Sequence, residues 1–214
     1  MIRAIFFDFD GVLVDTERLH RRCWAEVLRP WGIDLSWDLY SAEMIGVSHY
    51  EMVKRLCRRA GRRYSQRFFA SRYAEKKLRY EQRALRQCRT PRALVCYMIR
   101  NSKKYKLGVV SSSSRSEVEP ILKGQGIREC LTALVCDEDV TELKPAPEPY
   151  LRALEVVNGD GERRIGPAEC LVVEDSGPGE TAARRAGMQV VRVSGPGEVL
   201  GKLKRKLGGG HNVG

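Results

Sequence analysis

The 214-residue chain contains no apolar run approaching the length of a membrane span, which takes roughly 20 consecutive apolar residues. Its amino terminus, Met1-Ile2-Arg3, leads straight into a short hydrophobic run and lacks the longer apolar stretch and small-residue cleavage site of a signal peptide. The seven cysteines, Cys23, Cys57, Cys88, Cys96, Cys130, Cys136 and Cys170, are scattered, odd in number and form no C-x-x-C pair. That argues against a zinc site and a disulfide framework, and leaves most of them as small apolar side chains in a reducing compartment. The expectation is a soluble cytoplasmic protein with no membrane partner. No internal repeat is visible. Acidic residues are scarce in one segment: residues 50–106 hold 19 Lys/Arg against 3 Asp/Glu, whereas residues 1–49 and 107–214 carry net charges of −3 and −2. The basic excess of a +11 chain therefore belongs to that segment. It favours an anionic partner, a phosphate ester or a nucleic acid, or else it is a solvated Arg-rich helical surface. Nucleic acid is disfavoured. Trp24, Trp31 and Trp37 lie outside the segment, and its Tyr and Phe residues fall at helical spacing, which marks core rather than stacking platforms.

Hydrophobic residues make up 43% of the chain, enough for one large domain or for a core with a smaller insert. Residues 2–10 read as a buried strand. Helical stripes follow over 17–29 (Leu19, Cys23, Trp24, Val27, Leu28), 50–60 (Met52, Val53, Leu56, Cys57, Ala60) and 65–87 (Phe69, Tyr73, Tyr80, Ala84). Pro30, Gly32 and Asp34 interrupt the first. No comparable strand occurs between 15 and 103, so this stretch reads as a helical insert. Beyond 104 the alternation becomes regular: strands near 106–111, 133–136, 170–174 and 189–193, helices near 115–124, 147–157, 178–186 and 197–207. That order implies βαβ units and a mostly parallel sheet. The class is α/β, a Rossmann-like core built from 1–14 and 89–207, an inserted α-helical domain at 15–88, and a flexible glycine-rich tail at 208–214.

Chemistry gathers at the strand ends. The first strand runs into Asp8-Phe9-Asp10-Gly11, and the one near 170 into Glu174-Asp175-Ser176-Gly177. Acids at strand carboxyl ends of an α/β sheet converge on one crevice, where they repel each other unless a cation joins them. Hard oxygen ligands suit Mg²⁺. Gly11 permits a turn that brings backbone close to a ligand. Two acids at this spacing can serve as nucleophile and general acid/base, although Asp and Gly also make ordinary turns. Ser111 ends a strand and opens Ser111-Ser112-Ser113-Ser114-Arg115, where hydroxyls and N–H groups before a helix make an anion site or merely cap the helix. Lys144, ahead of Pro145-Ala146-Pro147, can neutralise phosphate oxygens and an acidic nucleophile; taken singly it is a surface lysine. Asp175 or Ser176 can equally be a helix cap. The joint occurrence of all these groups at successive strand ends favours the chemical reading.

The segments DFDGVLVDTE (8–17), VVSSSSR (109–115), LKPAPEPY (143–150) and VVEDSGPGETAARRAGM (172–188) resemble, in order, those of the haloacid dehalogenase superfamily of phosphotransferases. Within it the chain is similar to the β-phosphoglucomutase-like and sugar-phosphate phosphatase branch, which carries a helical cap after the first strand. The resemblance implies that Asp8 attacks phosphorus and becomes an aspartyl-phosphate, and that Asp10 protonates the leaving alcohol and then activates water. It implies that Ser111 and Lys144 hold phosphoryl oxygens, and that Mg²⁺ sits on Asp8, Asp10 (through its carbonyl), Asp175 and, near or in its shell, Glu174. Gly11, Ser112 and Ser113 are candidate substrate contacts. In the cap, His20 matches a histidine of the branch, or is a partly buried helix residue. The Gly46-Val47-Ser48-His49 loop resembles one that meets substrate, with His49 where β-phosphoglucomutase has an arginine for the phosphate that is not transferred. That arginine's asparagine partner is replaced by Arg115, which could take a second anion. Arg89-Thr90-Pro91-Arg92 departs from the usual Pro-Gly turn, and Thr16-Glu17 suit a cap or hinge. The function expected is a Mg²⁺-dependent phosphatase of small phosphorylated metabolites, sugar phosphates foremost. The alternatives are a phosphomutase and, third, a non-enzymatic anion- or nucleic-acid-binding protein. A dehalogenase is disfavoured because that branch lacks the second acid, here Asp10. Oligomeric state is left open.

Overall fold

In a computed structural model, which describes residues 1–45, 47–159 and 164–208, five apolar runs pair into one parallel sheet. They are β1 (Ala4–Phe7), β2 (Lys106–Val110), β3 (Ala133–Val135), β4 (Cys170–Glu174) and β5 (Gln189–Arg192), in spatial order β3-β2-β1-β4-β5. β1, β3 and β4 are buried along their whole length, the pattern of strands covered on both faces. Each fully buried Phe or Leu in them contributes about 1.5–3 kcal/mol. The register pairs Phe7 of β1 with Val109 on one side and Val173 on the other, so the strands next to β1 end level with it. Gly108 in β2 has a packing reason: a Cβ there would stand 2.8 Å from the Phe6 ring.

Of the helices that cover the sheet, α5 (Arg92–Asn101) precedes β2 and α6 (Arg115–Gly124) follows it. Later come α7 (Glu148–Asn158), α8 (Gly177–Arg185) and α9 (Pro196–Gly208). Tyr150, Ala153, Leu154 and Val157 of α7 join Ala182 and Ala183 of α8 over Phe6, Val110 and Val172 in one core cluster. β1 and β2 lie on one side of the reversal in strand order and β4 on the other, which opens a crevice beyond their carboxyl ends.

The chain divides into two compact units, residues 1–15 with 88–214, and residues 16–87. The second consists of α1 (Glu17–Leu28), α2 (Trp37–Glu43), α3 (His49–Arg59) and α4 (Gln66–Gln87). Trp24, Val27, Leu28, Ile33, Met52, Val53 and Leu56 form its own core. Ser36, Ser48 and Ser65 open three of its helices, each accepting a backbone N–H from three residues ahead.

The predicted elements need three corrections. The first strand spans 4–7 instead of 2–10: past Phe7 only Asp8 N continues the ladder, to Val173 O (3.0 Å), before the chain turns at Gly11 (φ 77°). Helix α2 falls where the sequence reading assigns no element, between the Pro30-Gly32-Asp34 break and the stripe at 50–60. It is seven residues long and buries only Tyr40, too short a stripe for periodicity to reveal. The Arg89-Thr90-Pro91-Arg92 stretch, which departs from the Pro-Gly turn, still leads into a helix, α5, in the unit that holds the sheet. Gly208, placed in the tail, ends α9, while 209–214 lie outside the described residues. Among the described residues no helix is long and apolar enough to cross a membrane.

Candidate active site

Three strand ends put their charges within reach of one amine. Lys144 Nζ donates to Asp8 Oδ1 at 2.5 Å, to Glu174 Oε1 at 2.7 Å and to the Val110 carbonyl at 3.0 Å. Those partners come from the ends of β1, β4 and β2. The lysine side chain is only 6% exposed and Glu174 not at all, so all three of its protons are used against acceptors shielded from water. The Lys144–Pro145 peptide is cis.

Glu174 is held more tightly than any other acid here. Its Oε1 also accepts from Tyr150 Oη (2.9 Å), and its Oε2 accepts from Asp175 N, Ser176 N and Ser176 Oγ (3.0, 3.0 and 2.9 Å). Burial pushes this carboxyl up, but Lys144 and the hydrogen bonds outweigh that and hold it below the usual range. Asp8 shifts the other way. Its burial, reinforced by the charges of Glu174 and Asp10, raises it well above an ordinary aspartate in spite of Lys144. Burial and the neighbouring Glu174 likewise raise Asp175, to about 6. Lys144 is strengthened as an acid-holding cation: burial alone would lower it, yet Asp8, Tyr150 and Glu174 raise it well above the ordinary lysine value.

Asp8, Glu174 and Asp175 each bring one carboxylate oxygen within 4.8 Å of the others. Three carboxylates against one ammonium leave a formal −2, which a divalent cation would cancel. The donor set is all hard oxygen, as Mg²⁺ requires. The turn is shaped for it: a Cβ on Gly11 would overlap the Asp175 carboxylate, and one on Gly179 would overlap that of Glu174. Because both Glu174 oxygens are already engaged by five donors, Asp8 and Asp175 are the better direct ligands.

Asp10 lies in the turn after β1, where its Oδ2 accepts from Ser113 Oγ at 2.9 Å. Ser111 is buried; its N–H continues the sheet to Val135 O, and its Oγ accepts from Ser113 N at 3.0 Å, which leaves the hydroxyl a proton to donate. Ser112 is exposed in the same loop. Thus Asp8, Asp10, Gly11, Ser111, Lys144, Glu174 and Asp175 come together. Two expected substrate contacts have protein partners here. Ser113 donates its hydroxyl to Asp10. Arg115, read as a second anion site, turns its guanidinium to Asp139 (2.5 Å) and the Leu134 carbonyl (3.3 Å), while its N–H reaches Glu138.

His20 and His49 lie in the helical unit. His20 is buried, stacks on Tyr80 (centroids 4.2 Å apart) and leaves Nδ1 without a hydrogen-bond partner among the described residues. His49 is the first residue of α3 instead of a loop residue, with its ring near those of His20, Trp24 and Tyr73. Gly46, from the same predicted loop, lies outside the described residues. Burial first, and then the charge of Lys76, lowers both imidazoles, His49 to about 3, so both are neutral at pH 7. Sequence reasoning passed over Lys76, a fully buried lysine whose Nζ lies 4.8 Å from the Tyr80 ring centroid. The signal was there: position 76 falls on the stripe of Phe69, Tyr73, Tyr80 and Ala84. It also passed over the roles of Tyr150, Ser176 and Gly179 around Glu174.

The family model for haloacid dehalogenase-like hydrolases matches residues 5–193. The chain belongs to that family. A curated relative, the phosphorylated carbohydrates phosphatase of Thermotoga maritima, is 29% identical over 187 residues, 87% of this chain and 82% of that one. The crystal structure of CbbY from Rhodobacter sphaeroides in complex with phosphate is 26% identical, covers 90% of this chain and 86% of its own, and superposes with a TM-score of 0.73. β-Phosphoglucomutase from Clostridium difficile, 21% identical over 97% of this chain and 99% of its own, shares the fold with a TM-score of 0.74. The family member described here falls in the phosphoglucomutase-like and sugar phosphatase branch and is an enzyme of the phosphoric monoester hydrolase type.

Proposed function

We propose that this haloacid dehalogenase-like hydrolase is a Mg²⁺-dependent phosphatase of small phosphorylated metabolites, with sugar phosphates as its substrate class. The observation that carries the reading is the ion network Asp8–Lys144–Glu174, closed off from water at the ends of three adjacent strands with Asp175 beside it. The likeness to a carbohydrate-phosphate phosphatase supports the substrate class.

Phosphoryl transfer is largely positioning and charge neutralisation. In this reading an Asp8 carboxylate oxygen forms a bond to phosphorus as the P–O bond to the alcohol breaks, and Asp10 gives its proton to the departing alkoxide oxygen. Asp10 then takes a proton from water, whose oxygen attacks the Asp8-bound phosphorus and releases orthophosphate and the Asp8 carboxylate. Lys144 and the Ser111 hydroxyl hold phosphoryl oxygens, and the Ser113 hydrogen bond orients Asp10. Glu174 keeps Lys144 charged and in place. Asp8, Asp175 and the Asp10 carbonyl would hold Mg²⁺, which supplies positive charge that lets a dianionic ester approach an acidic site.

The test is a panel of hexose, pentose and triose phosphates, with orthophosphate release measured in Mg²⁺ and in EDTA. Release from sugar phosphates that needs Mg²⁺ and vanishes in Asp8→Asn is expected. Isomerisation of a sugar phosphate primed by its bisphosphate, without net orthophosphate, would make the enzyme a mutase. Salt-sensitive nucleic-acid binding with no turnover would remove the phosphatase reading altogether.

A further inference from the structure

The opposite, amino-terminal end of the parallel strands carries a second charged concavity that catalysis does not use. A cavity of about 370 Å³ lies where α5 gives way to β2, within the ~300–1,000 Å³ typical of small-molecule sites. Tyr105 and Ile165, both largely buried, form an apolar base. Four cations line it: Arg3, Lys103, Lys104 and Lys106. Arg3 is anchored by Glu169 and the Arg164 carbonyl, and its own carbonyl accepts from Lys106 N, which fixes the two residues side by side at the start of β1 and β2. The lysines are different. They are exposed, and no carboxylate among the described residues pairs with any of the three. Lys104 Nζ rests 5.1 Å from the centroid of the Tyr105 ring.

Lysines after a helix often serve only to cover its last carbonyls. Here other groups take part of that duty: Asn101 O accepts from the backbone N–H groups of Lys104 and Tyr105, and Ile99 O accepts from Ser102 Oγ. Nor are they the other half of the basic segment's surface ion pairs. Arg55, Arg59, Arg79 and Arg83 of the insert are matched by Glu51, Glu43 and Glu26, and no such acid faces Lys103, Lys104 or Lys106 among the described residues. Three ammonium groups within four residues repel one another until an anion joins them.

We propose that this cavity binds a small, multiply phosphorylated anion, at a site separate from the catalytic crevice. The five residue steps from Arg3 to Asp8 along β1 put the two roughly 16 Å apart, at opposite ends of the parallel strands. A compact polyphosphate fits the single concavity better than a nucleic-acid strand, which is bound by a groove tracking successive phosphates.

The experiment is calorimetric titration of inorganic tripolyphosphate, and separately of ATP, into the full chain carrying Asp8→Asn so that neither probe is consumed. The comparison chain adds Lys103→Gln, Lys104→Gln and Lys106→Gln. Removing three charge-assisted contacts should weaken tripolyphosphate at least about tenfold. ATP should follow; if ATP alone binds and is weakened, the Tyr105 side supplies the remaining contact and the site stands as a nucleotide-type polyanion site. The same three substitutions in the otherwise unaltered enzyme should leave kcat and inhibition by orthophosphate unchanged, which also shows that the chain still folds. Equal affinity in both chains would place the anion elsewhere and overturn the proposal. So would the absence of binding by either probe, or lysine-dependent binding confined to RNA or DNA oligomers.

Discussion

Lys144 is the residue on which the site's electrostatics turn, because one ammonium answers two buried carboxylates and a carbonyl. Removing charge from either partner has different consequences. Asp8→Asn leaves Lys144 with Glu174 and Val110 O, so the fold should persist by circular dichroism while turnover falls beyond ~10³-fold, since the residual rate lacks the nucleophile. Residual activity within tenfold of wild type would show that Asp8 is not the nucleophile. Glu174→Gln keeps the shape but not the charge that secures Lys144. By analogy with outer-shell partners of other charged sites it should lower kcat/KM about 10–100-fold. Gly179→Ala drives a Cβ into the Glu174 carboxylate. The cost of overpacking is about 1–3 kcal/mol in a urea titration, and an unchanged midpoint would mean that the carboxylate yields freely. Asp8, Asp10, Ser111, Glu174 and Asp175 were legible because each closes or follows an apolar run, a one-dimensional signal, whereas Lys144 follows the polar stretch 137–142 and stood out only through the LKPAPEPY resemblance. Tyr150 was not, since its spacing on α7 is that of any core residue and only folding brings its hydroxyl to Glu174. The Asp139 partner of Arg115 was illegible for a related reason: an arginine opening a helix after a serine run reads as an anion ligand, and only tertiary structure brings Asp139 to it.

At the scale of elements, helices with a broad apolar stripe were readable to within a residue or two. Residues 115–124 were predicted helical and α6 spans Arg115–Gly124. The failures were short or half-empty stripes, α2 above all. The insert adds a pattern that sequence periodicity alone cannot interpret: α1, α3 and α4 bring His20, His49 and Lys76 together among aromatic rings. Their titration gives a prediction with a definite sign. In the unfolded chain a histidine takes its proton near pH 6.5, whereas folded His49 does so only near 3 and His20 well below its ordinary value. Between those limits the unfolded state binds more protons, so stability is full above pH ~6.5 and declines as pH falls, by up to about 1.4 kcal/mol per pH unit for each histidine. Urea unfolding at pH 7.5 and 5.5 should show a larger loss for wild type than for His20→Gln/His49→Gln. Equal losses in the two proteins would mean that other groups, not these imidazoles, set the acid sensitivity.

Across the whole molecule, charge is sorted. The crevice beyond the strand carboxyl ends collects acids, the amino-terminal end of the strands collects lysines, and in the insert Arg55, Arg59, Arg72, Arg79 and Arg83 pair with glutamates. Net charge counted along the sequence locates the basic segment but cannot divide it into paired and unpaired cations, which is why the lysine cavity was not legible. The absence of any good strand between 15 and 103, by contrast, did announce a helical insert, since a parallel sheet cannot draw on residues that alternate with the wrong period. The acidic pole makes the last prediction. With Asp8 and Asp175 both displaced upward by burial and by each other's neighbours, the cation-free protein keeps repulsion that a divalent ion would relieve. Mg²⁺ that binds only the folded chain stabilises it by about 2.7 kcal/mol at a hundredfold excess over its Kd, which for a chain of this size raises Tm by roughly 5–10 °C. EDTA should therefore lower the melting temperature as it silences turnover, and Mg²⁺ should restore both. Asp175→Asn relieves part of the repulsion itself and removes a ligand, so its Tm in EDTA should match or exceed that of wild type while its rise with Mg²⁺ shrinks. A full Mg²⁺-dependent rise in Asp175→Asn would show that the ion is held without that carboxylate, and that the acids at the ends of β1 and β4 do not share it.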